Sequence, residues 1–433
     1  MPVRLDTRAT GFADAFAALA AGKRELTEDV DAAVAAILDD VKRRGDDALI
    51  ELTRRFDRAT ITPASLRVAP EEIAEARAAC APETLAALEL AAERIAAYHR
   101  RQLPADLDYR DAAGVRLGAR WRPLASVGIY VPGGTAAYPS SVLMNAVPAK
   151  VAGVSRVAMV VPAPDGVLNR LVLVAAALAG VDEIYRIGGA QAVAALAYGT
   201  TSIAAVDKIV GPGNAYVAAA KRRVFGAVGI DLIAGPSEIL VVADAANDPD
   251  WIAADLMAQA EHDEAAQAIL ITNDAAFADR VVAAVERMLA TLPRRAIAGQ
   301  SWRRFGAVIL VRDWSEAAEL VDRLAPEHVE LALEAGEAVA ARIRHAGAIF
   351  IGRHTPEAIG DYVAGPSHVL PTARSARFSS GLGVLDFLKR TSIIACDATS
   401  LGAIGPAAVT LARAEGLDAH ALSVATRLNI QRG

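Results

Sequence analysis

The first side chains that could carry chemistry are the amide of Gln259 and the imidazole of His262. Both lie in the stretch Asp255-Leu-Met-Ala-Gln-Ala-Glu-His-Asp263. The pattern predicts a helix, on which Gln259 and His262 share one face with their Cβ atoms roughly 5–6 Å apart. An amide oxygen and an imidazole nitrogen could then bind one metal ion. Zinc takes about four ligands, or three and a substrate, so the remaining ligands must come from elsewhere in the chain.

The other candidates are pairs of one acidic residue and one histidine in the C-terminal third, which holds five of the seven histidines. The pairs are Glu327 with His328, Asp361 with His368, and Glu415 with His420. An adjacent glutamate and histidine can divide general-base duties, because both can be tuned toward neutral pH. Each pair alone could be a helix end or a polar loop. Together with Gln259 and His262, they offer the mixed nitrogen and oxygen ligands that suit zinc or a similar divalent ion.

Several familiar catalytic motifs are absent from the sequence. It contains no His-Glu-x-x-His, no Gly-x-Ser-x-Gly and no phosphate loop that ends in Gly-Lys-Ser/Thr. Tyr216 and Lys221 are tempting as a catalytic couple, but their spacing of five puts them on different helix faces. We therefore interpret them as surface and cleft-lining residues.

The elements that must position these side chains alternate regularly between strands and helices. A first strand is predicted at 115–121, and the strands of the alternation are 126–132, 156–162, 183–187, 208–210, 238–243, 268–272, 307–311 and 348–351. Continuously apolar strands that alternate with helices are typical of a parallel sheet covered on both faces. We predict an α/β fold with two incomplete, Rossmann-like parallel-sheet domains, and with small helical segments at the N-terminal and C-terminal ends.

Four stretches, at 131–134, 187–191, 210–214 and 234–237, are rich in glycine, and we interpret them as turns at the carboxyl ends of strands. Glycine lets the backbone approach a ligand closely, and the helix N-termini that follow attract phosphate. One such turn could simply be a tight connection. Four along the carboxyl edge of one sheet indicate a cofactor cleft, although the complete Gly-x-Gly-x-x-Gly fingerprint in a strand–helix context is absent.

The domain organisation follows from these two blocks of alternation. We predict an N-terminal arm at 1–24 and a discontinuous first α/β domain at 25–125 and 238–381. A second α/β domain at 126–237 would hold the cofactor cleft. A C-terminal segment at 382–433 would contribute to the site.

Composition and charge narrow the class of protein. A chain of 433 residues with 54% hydrophobic residues favours a well-buried protein of two or more domains. The net charge of −6, with no basic run, argues against nucleic acid as a partner. No apolar run reaches the roughly 20 residues of a membrane helix, and the N-terminus lacks a signal-peptide core. Cys80 and Cys396 cannot build a disulfide framework, which fits a reducing cytoplasm.

Long motifs in a fixed order resemble the histidinol dehydrogenase family. They are VGPGNAYVAAAK at 210–221, DLIAGPSEILV at 231–241, QAEH at 259–262, PEH at 326–328, GDYVAGPSHVLPT at 360–372 and EGLDAH at 415–420. The resemblance covers essentially the whole chain and is strongest from about 126 to 420. These motifs are much longer and more specific than a lone glycine fingerprint.

The resemblance implies an oxidoreductase that converts L-histidinol to L-histidine through an aldehyde, using NAD twice, in histidine biosynthesis. It implies one Zn²⁺ per subunit and an intertwined homodimer whose two subunits share each site. His328 would take the alcohol proton, and Glu327 would activate water for the second step. The implied contacts are Gln259, His262, Asp361 and His420 to zinc, Ser237, His368 and Glu415 to the substrate, and Tyr130, Gln191 and Asn214 to NAD.

Two other functions are open at this point. A dehydrogenase on the same scaffold could oxidise another small alcohol, such as a sulfonated diol. A sulfonate pocket should bring extra Arg or Lys near Ser237, His368 and Glu415, whereas the local charges there are acidic or neutral. A non-catalytic metal-binding or nucleotide-binding protein would leave Glu327 and His328 without a purpose. Whether His420 completes the site of its own chain or of a partner is also open.

Overall fold

The computed structural model describes residues 1–22, 28–133, 138–233 and 235–429. The boundary expected after residue 24, together with Gly134 and Ala234 of the glycine-rich turns, lies outside these ranges. The chain divides into two compact units. The first unit comprises Met1–Arg101 and Ala125–Phe387, and the second comprises Gln102–Leu124 and Leu388–Gly433.

Strands and helices alternate along most of the described chain. The strands are β1 (Val3–Asp6), β2 (Leu107–Arg110), β3 (Arg116–Pro123), β4 (Ser126–Tyr130), β5 (Arg156–Val160), β6 (Glu183–Tyr185), β7 (Lys208–Val210), β8 (Gly229–Ile230), β9 (Glu238–Ala243), β10 (Gln267–Thr272), β11 (Ala307–Leu310), β12 (His328–Ala332), β13 (Ala348–Ile351) and β14 (Leu388–Ala395). The helices are α1 (Phe12–Ala21), α2 (Glu28–Arg44), α3 (Asp46–Asp57), α4 (Pro63–Leu66), α5 (Pro70–Ala78), α6 (Pro82–Arg100), α7 (Pro139–Ala152), α8 (Arg170–Ala179), α9 (Gly189–Tyr198), α10 (Ala215–Val224), α11 (Pro249–Ala260), α12 (Ala275–Leu289), α13 (Arg295–Phe305), α14 (Trp314–Leu324), α15 (Gly336–Ala340), α16 (Ala398–Ala414) and α17 (Asp418–Arg427). Short 3-10 helices span Pro164–Gly166, Glu357–Ile359, Ser375–Arg377 and Val384–Phe387.

One sheet of the first unit consists of five parallel strands in the order β6-β5-β4-β7-β8. Buried residues of α2 and α3, such as Val34 and Leu49, share a core with Val193 and Leu196 of α9 on this sheet. The packing of α2 and α3 therefore differs from the expected grouping of 25–125 with 238–381. Their apolar faces pack against α9 and α10, which belong to the sheet of 126–230, instead.

The other sheet of the first unit has six parallel strands in the order β1-β11-β10-β9-β12-β13. Helices α11, α12 and α13 cover one face, and α1, α14 and α15 cover the other. The expected N-terminal arm thus supplies an edge strand and the fully buried Phe16. The predicted α/β fold with parallel sheets is confirmed.

The second unit contains a three-stranded antiparallel sheet in the order β14-β3-β2, followed by α16 and α17. Strand β14 was not predicted, because the C-terminal segment was expected to be helical. Its residues are mostly exposed, so it lacks the apolar run that marks the buried strands. Among the described residues, no helix combines the length and apolar character needed to cross a bilayer.

A buried ion pair fixes the glycine-rich turn that follows β7. The Lys221 ammonium group contacts the Asp231 carboxylate and donates a hydrogen bond to the Gly211 carbonyl at 2.9 Å, and Asp231 accepts from the Gly211 N–H at 2.7 Å. Gly211 has φ 108°, and a Cβ there would lie 2.2 Å from the Tyr130 carbonyl oxygen. Tyr216 is exposed as expected, but the interpretation of Lys221 as a surface or cleft-lining residue was wrong. Its side chain turns inward and is 3% exposed.

Removing one partner of this pair should destabilise the five-stranded sheet. Lys221→Met leaves the Asp231 carboxylate buried and unpaired, at a cost of about 3–5 kcal/mol. The double variant Lys221→Met/Asp231→Asn carries no buried charge and should lose much less. Denaturant unfolding of both variants beside the wild type checks this, and equal midpoints for Lys221→Met and the wild type would contradict it.

Candidate active site

His328 begins strand β12, between β9 and β13, and its side chain is buried. Its Nδ1 lies 2.9 Å from the Glu238 carbonyl oxygen. A carbonyl only accepts hydrogen bonds, so Nδ1 carries the proton and Nε2 keeps its lone pair. Burial lowers the pKa of His328 to about 4, which keeps the ring neutral near pH 7. A neutral imidazole with a lone pair at Nε2 can act as a general base.

Glu327 is held by the same residue of β9. Its carboxylate accepts a hydrogen bond from the Glu238 N–H at 2.9 Å, so Glu238 fixes both neighbours through its backbone. Burial raises the pKa of Glu327 well above its usual value. A Cβ at Gly347 would lie 2.5 Å from the Glu327 carbonyl oxygen. Only glycine therefore fits at position 347, where the chain passes close to Glu327 before β13 begins.

Two further carboxylates lie beside His328. Its Nε2 is 3.4 Å from Glu357 Oε1, and donor atoms of His328, Glu357 and Asp361 all lie within 4.8 Å of one another. Burial, and then the nearby Asp361 and Asp255 charges, raise the pKa of Glu357 to about 8. Burial also opposes ionisation of Asp361, but the hydrogen bond to His368 and the nearby histidines hold its pKa below the usual value.

Two histidines lie close to the Asp361 carboxylate. His368 Nδ1 lies 3.3 Å from Asp361 Oδ1, and His262 Nε2 lies 4.0 Å from Asp361 Oδ2. Helix α11 ends at Ala260, so His262 lies in the turn after the helix, where its side chain is 47% exposed. The prediction that Gln259 and His262 share one helix was therefore wrong for His262, although both are near the end of α11.

Gln259 supports the metal prediction in another way. It lies in the last turn of α11 and is 1% exposed, yet neither its Oε1 nor its Nε2 has a hydrogen-bond partner among the described residues. A buried amide without partners is costly and calls for an explanation. An amide oxygen near imidazole and carboxylate donors fits a divalent ion, because such an ion would satisfy it.

The residues expected to contact NAD lie at the carboxyl edge of the five-stranded sheet. Tyr130 ends β4, and its hydroxyl accepts a hydrogen bond from the Gly189 N–H at 2.9 Å, where α9 begins. Gln191 is buried in the first turn of α9. Asn214 is exposed and caps α10, its Oδ1 accepting from the backbone of 216 and 217. This edge therefore brings the turns after β4, β6 and β7 together.

The loop that carries Asp361 and His368 also contacts α7, the helix that follows β4 in the five-stranded sheet. Ser141 Oγ on α7 lies 3.5 Å from His368 Nε2, and Ser367 Oγ donates to the Met144 carbonyl at 3.2 Å. Ser237, expected to hold substrate, immediately precedes β9 and is half-buried. The loop thus joins the cofactor edge of one sheet to the histidine–carboxylate cluster of the other.

Glu415 and His420 belong to the second unit. Glu415 ends α16, His420 lies in the first turn of α17, and both are exposed. Their expected roles stay predictions. The structure also adds the buried Glu330 and Glu357 and the half-buried Asp255 to the acids of this region, and sequence reasoning gave none of them a role. The four-residue spacing of Asp255 from Gln259, and of Glu357 from Asp361, was a signal that could have found two of them.

The fold and the site define an α/β protein with parallel sheets and a buried histidine–carboxylate centre. The family model described as histidinol dehydrogenase matches residues 20–428. The chain is 66% identical to the histidinol dehydrogenase of Rhodospirillum rubrum, over 99% of each chain, and 65% identical to that of Ruegeria pomeroyi over the full length of both. The crystal structure of histidinol dehydrogenase from Elizabethkingia anophelis superposes with a TM-score of 0.94 at 35% identity, covering 99% of this chain and 98% of that one. The chain belongs to the histidinol dehydrogenase family.

The pKa of His328 can be tested directly. In the metal-free protein, its imidazole NMR signals should stay at the neutral-form position down to about pH 5, because burial lowers its pKa to about 4. Loss of the signals in His328→Gln assigns them. A His328 titration midpoint near the ordinary value of about 6.5 would contradict the prediction.

Proposed function

We propose that this protein is a zinc-containing, NAD-dependent L-histidinol dehydrogenase that forms L-histidine in two oxidations. The observation that carries the proposal is His328, a buried neutral imidazole whose Nδ1 is fixed by the Glu238 carbonyl and whose Nε2 adjoins Glu357 and Asp361. The names of the relatives support the substrate. The free Cys80 and Cys396 suit the reducing cytoplasm in which we place the enzyme.

Gln259, His262, Asp361 and His420 would hold the zinc ion. The partnerless amide of Gln259 and the approach of His262 to Asp361 support this ligand set. When bound, zinc would orient the substrate by coordinating its imidazole and amine. Ser237, His368 and Glu415 would hold the rest of the substrate, with Glu415 pairing with the ammonium group.

His328 would drive the first oxidation. A hydride leaves the alcohol carbon only when the alcohol oxygen loses its proton, and His328 Nε2 has the lone pair to accept it. NAD, when bound, takes the hydride. The Nδ1–H bond to the Glu238 carbonyl stabilises the imidazolium that forms, because that carbonyl remains its acceptor.

Glu327 would serve the second oxidation. The aldehyde must add water before another hydride can leave, and burial raises the pKa of Glu327, which makes its carboxylate a stronger base toward that water. The second hydride goes to another NAD. Overall, one alcohol, one water and two NAD give one carboxylate, two NADH and three protons.

Tyr130, Gln191 and Asn214 would contact NAD along the carboxyl edge of the five-stranded sheet. The Tyr130 hydroxyl at the start of α9 and the bare backbone of Gly211 support this choice. Parallel α/β sheets bind nucleotides at such an edge, next to helix N-termini.

We further propose a homodimer in which each site uses residues of both subunits. The second unit carries Glu415 and His420, and in the single chain it exposes large apolar side chains. These are Ile394, Ile404, Leu411, Leu417 and Leu422. Exposed apolar groups of this kind are typical of a surface that a partner covers.

Product stoichiometry tests the proposed reaction. We expect two NADH per L-histidinol in the zinc-loaded enzyme and a loss of activity on chelation that zinc restores. Glu327→Gln should form the first NADH and then accumulate aldehyde, whereas His328→Gln should lose both oxidations.

Other outcomes are equally clear. One NADH per substrate in the wild type would indicate an ordinary alcohol dehydrogenase and would contradict the role proposed for Glu327. No NADH from histidinol, but NADH from another small alcohol, would replace the substrate while keeping the reaction class.

Mixed dimers test whether the site is shared. His328→Gln and His420→Gln should each be inactive alone. If the two residues of one site come from different subunits, a heterodimer holds one wild-type site, so random mixing restores activity to about a quarter of wild type. If both come from one chain, every site in the mixture stays defective, and sharing is excluded.

A further inference from the structure

Two carboxyl groups without an assigned role lie close to the site, the half-buried Asp255 and the buried Glu330. Asp255 is on α11, one helical turn before Gln259, and Glu330 is on β12, two residues after His328. Residues four apart on a helix share a face, as do residues two apart on a strand. Asp255 therefore lies on the same side of α11 as Gln259, and Glu330 lies on the same face of β12 as His328.

The two carboxyl groups are joined to each other and to a third segment. The Asp255 and Glu330 side chains form a hydrogen bond with each other. Glu330 also accepts a hydrogen bond from the Glu357 N–H at 3.3 Å, where the 3-10 helix that leads to Asp361 begins. One cluster thus connects α11, β12 and Glu357–Ile359, which carry or precede Gln259, His328 and Asp361.

A hydrogen bond between two carboxyl groups requires that one of them keeps its proton. Burial raises the pKa of Asp255, and burial together with the Asp255 charge raises that of Glu330 to about 9. The groups that face Glu330 are Asp255 and Glu357, and both are acidic. Glu330 therefore keeps a proton at neutral pH and can donate it to the Asp255 carboxyl group.

The pair is not itself arranged to bind metal. Among the described histidines, cysteines and acids, the group whose donor atoms converge consists of His328, Glu357 and Asp361. A carboxyl group that keeps its proton is also a poor ligand, because metals bind the deprotonated form. The proton that Glu330 keeps instead suits a structural link between elements.

We propose that Asp255 and Glu330 are positioning residues, whose contact with each other and with the Glu357 N–H holds α11, β12 and the Glu357–Ile359 helix so that Gln259, His328 and Asp361 meet. The inference rests on the proposed function, since it assigns the link to the zinc-binding and base-bearing segments. Residues that orient metal ligands from behind typically change metal affinity 10- to 100-fold when they are mutated.

The test compares three variants with the wild type. Glu330→Met has nearly the same size but cannot form the bond. Glu330→Gln keeps it, because the amide donates to Asp255 and its oxygen accepts from the Glu357 N–H. Glu334→Met is the matched control, because Glu334 is an exposed acid just after β12. The readouts are zinc affinity by chelator competition, the melting temperature of the metal-free protein, and kcat and KM.

We expect Glu330→Met to lose zinc affinity about 10- to 100-fold, while Glu330→Gln and Glu334→Met stay near the wild type. Wild-type zinc affinity should also fall above about pH 9, where the pair loses its proton, and Glu330→Gln should lack that fall. The pH comparison decides the question even if Glu330→Met does not fold.

Two outcomes would overturn the inference. One is an unchanged zinc affinity in folded Glu330→Met, and the other is the same alkaline fall in Glu330→Gln as in the wild type. Neither readout uses histidinol. A wild-type protein that binds no zinc at any pH would instead overturn the proposed function, so the two failures are distinguishable.

Discussion

The hydrogen bond from His328 Nδ1 to the Glu238 carbonyl is the constraint on which the rest of the site depends. It joins two neighbouring strands outside their ladder and turns Nε2 toward the acidic residues that follow β13. The Glu238 N–H holds Glu327 in the same way. One backbone unit thus fixes two side chains with different tasks, and a rigid parallel sheet fixes that backbone unit.

Burial divides the acids of the site into two kinds. It raises the pKa of Glu330 and Glu357 to about 9 and about 8, so these two groups keep protons at neutral pH. It also raises the pKa of Glu327, which makes that carboxylate a stronger base. Asp361 is buried as well, but its histidine neighbours keep it ionised. Because fewer of these carboxyl groups are ionised, the repulsion between like charges is smaller, and the sheet and the loop can lie close together. The site can therefore place carboxyl groups within a few ångströms of one another.

The sequence predicted the strands with long apolar runs, since parallel strands buried on both faces need them. It missed β12 because the strand is short, begins with His328 directly after Glu327, and contains Glu330. The side chains that could do chemistry were found through types and motifs. Asp255, Glu330 and Glu357 were not, because their roles come from burial and from contacts between distant segments. The burial of the Lys221 side chain was not predicted, for the same reason.

The ion pair of Lys221 and Asp231 differs from most charge pairs of the chain in how it responds to salt. Exposed pairs such as Arg223–Asp31, which ties α10 to α2, weaken as dissolved ions screen them over a distance of about 8 Å at physiological ionic strength. The Lys221–Asp231 pair excludes those ions. A rise in ionic strength therefore loosens the outer attachment of α10, while the turn beside the cofactor edge keeps its shape.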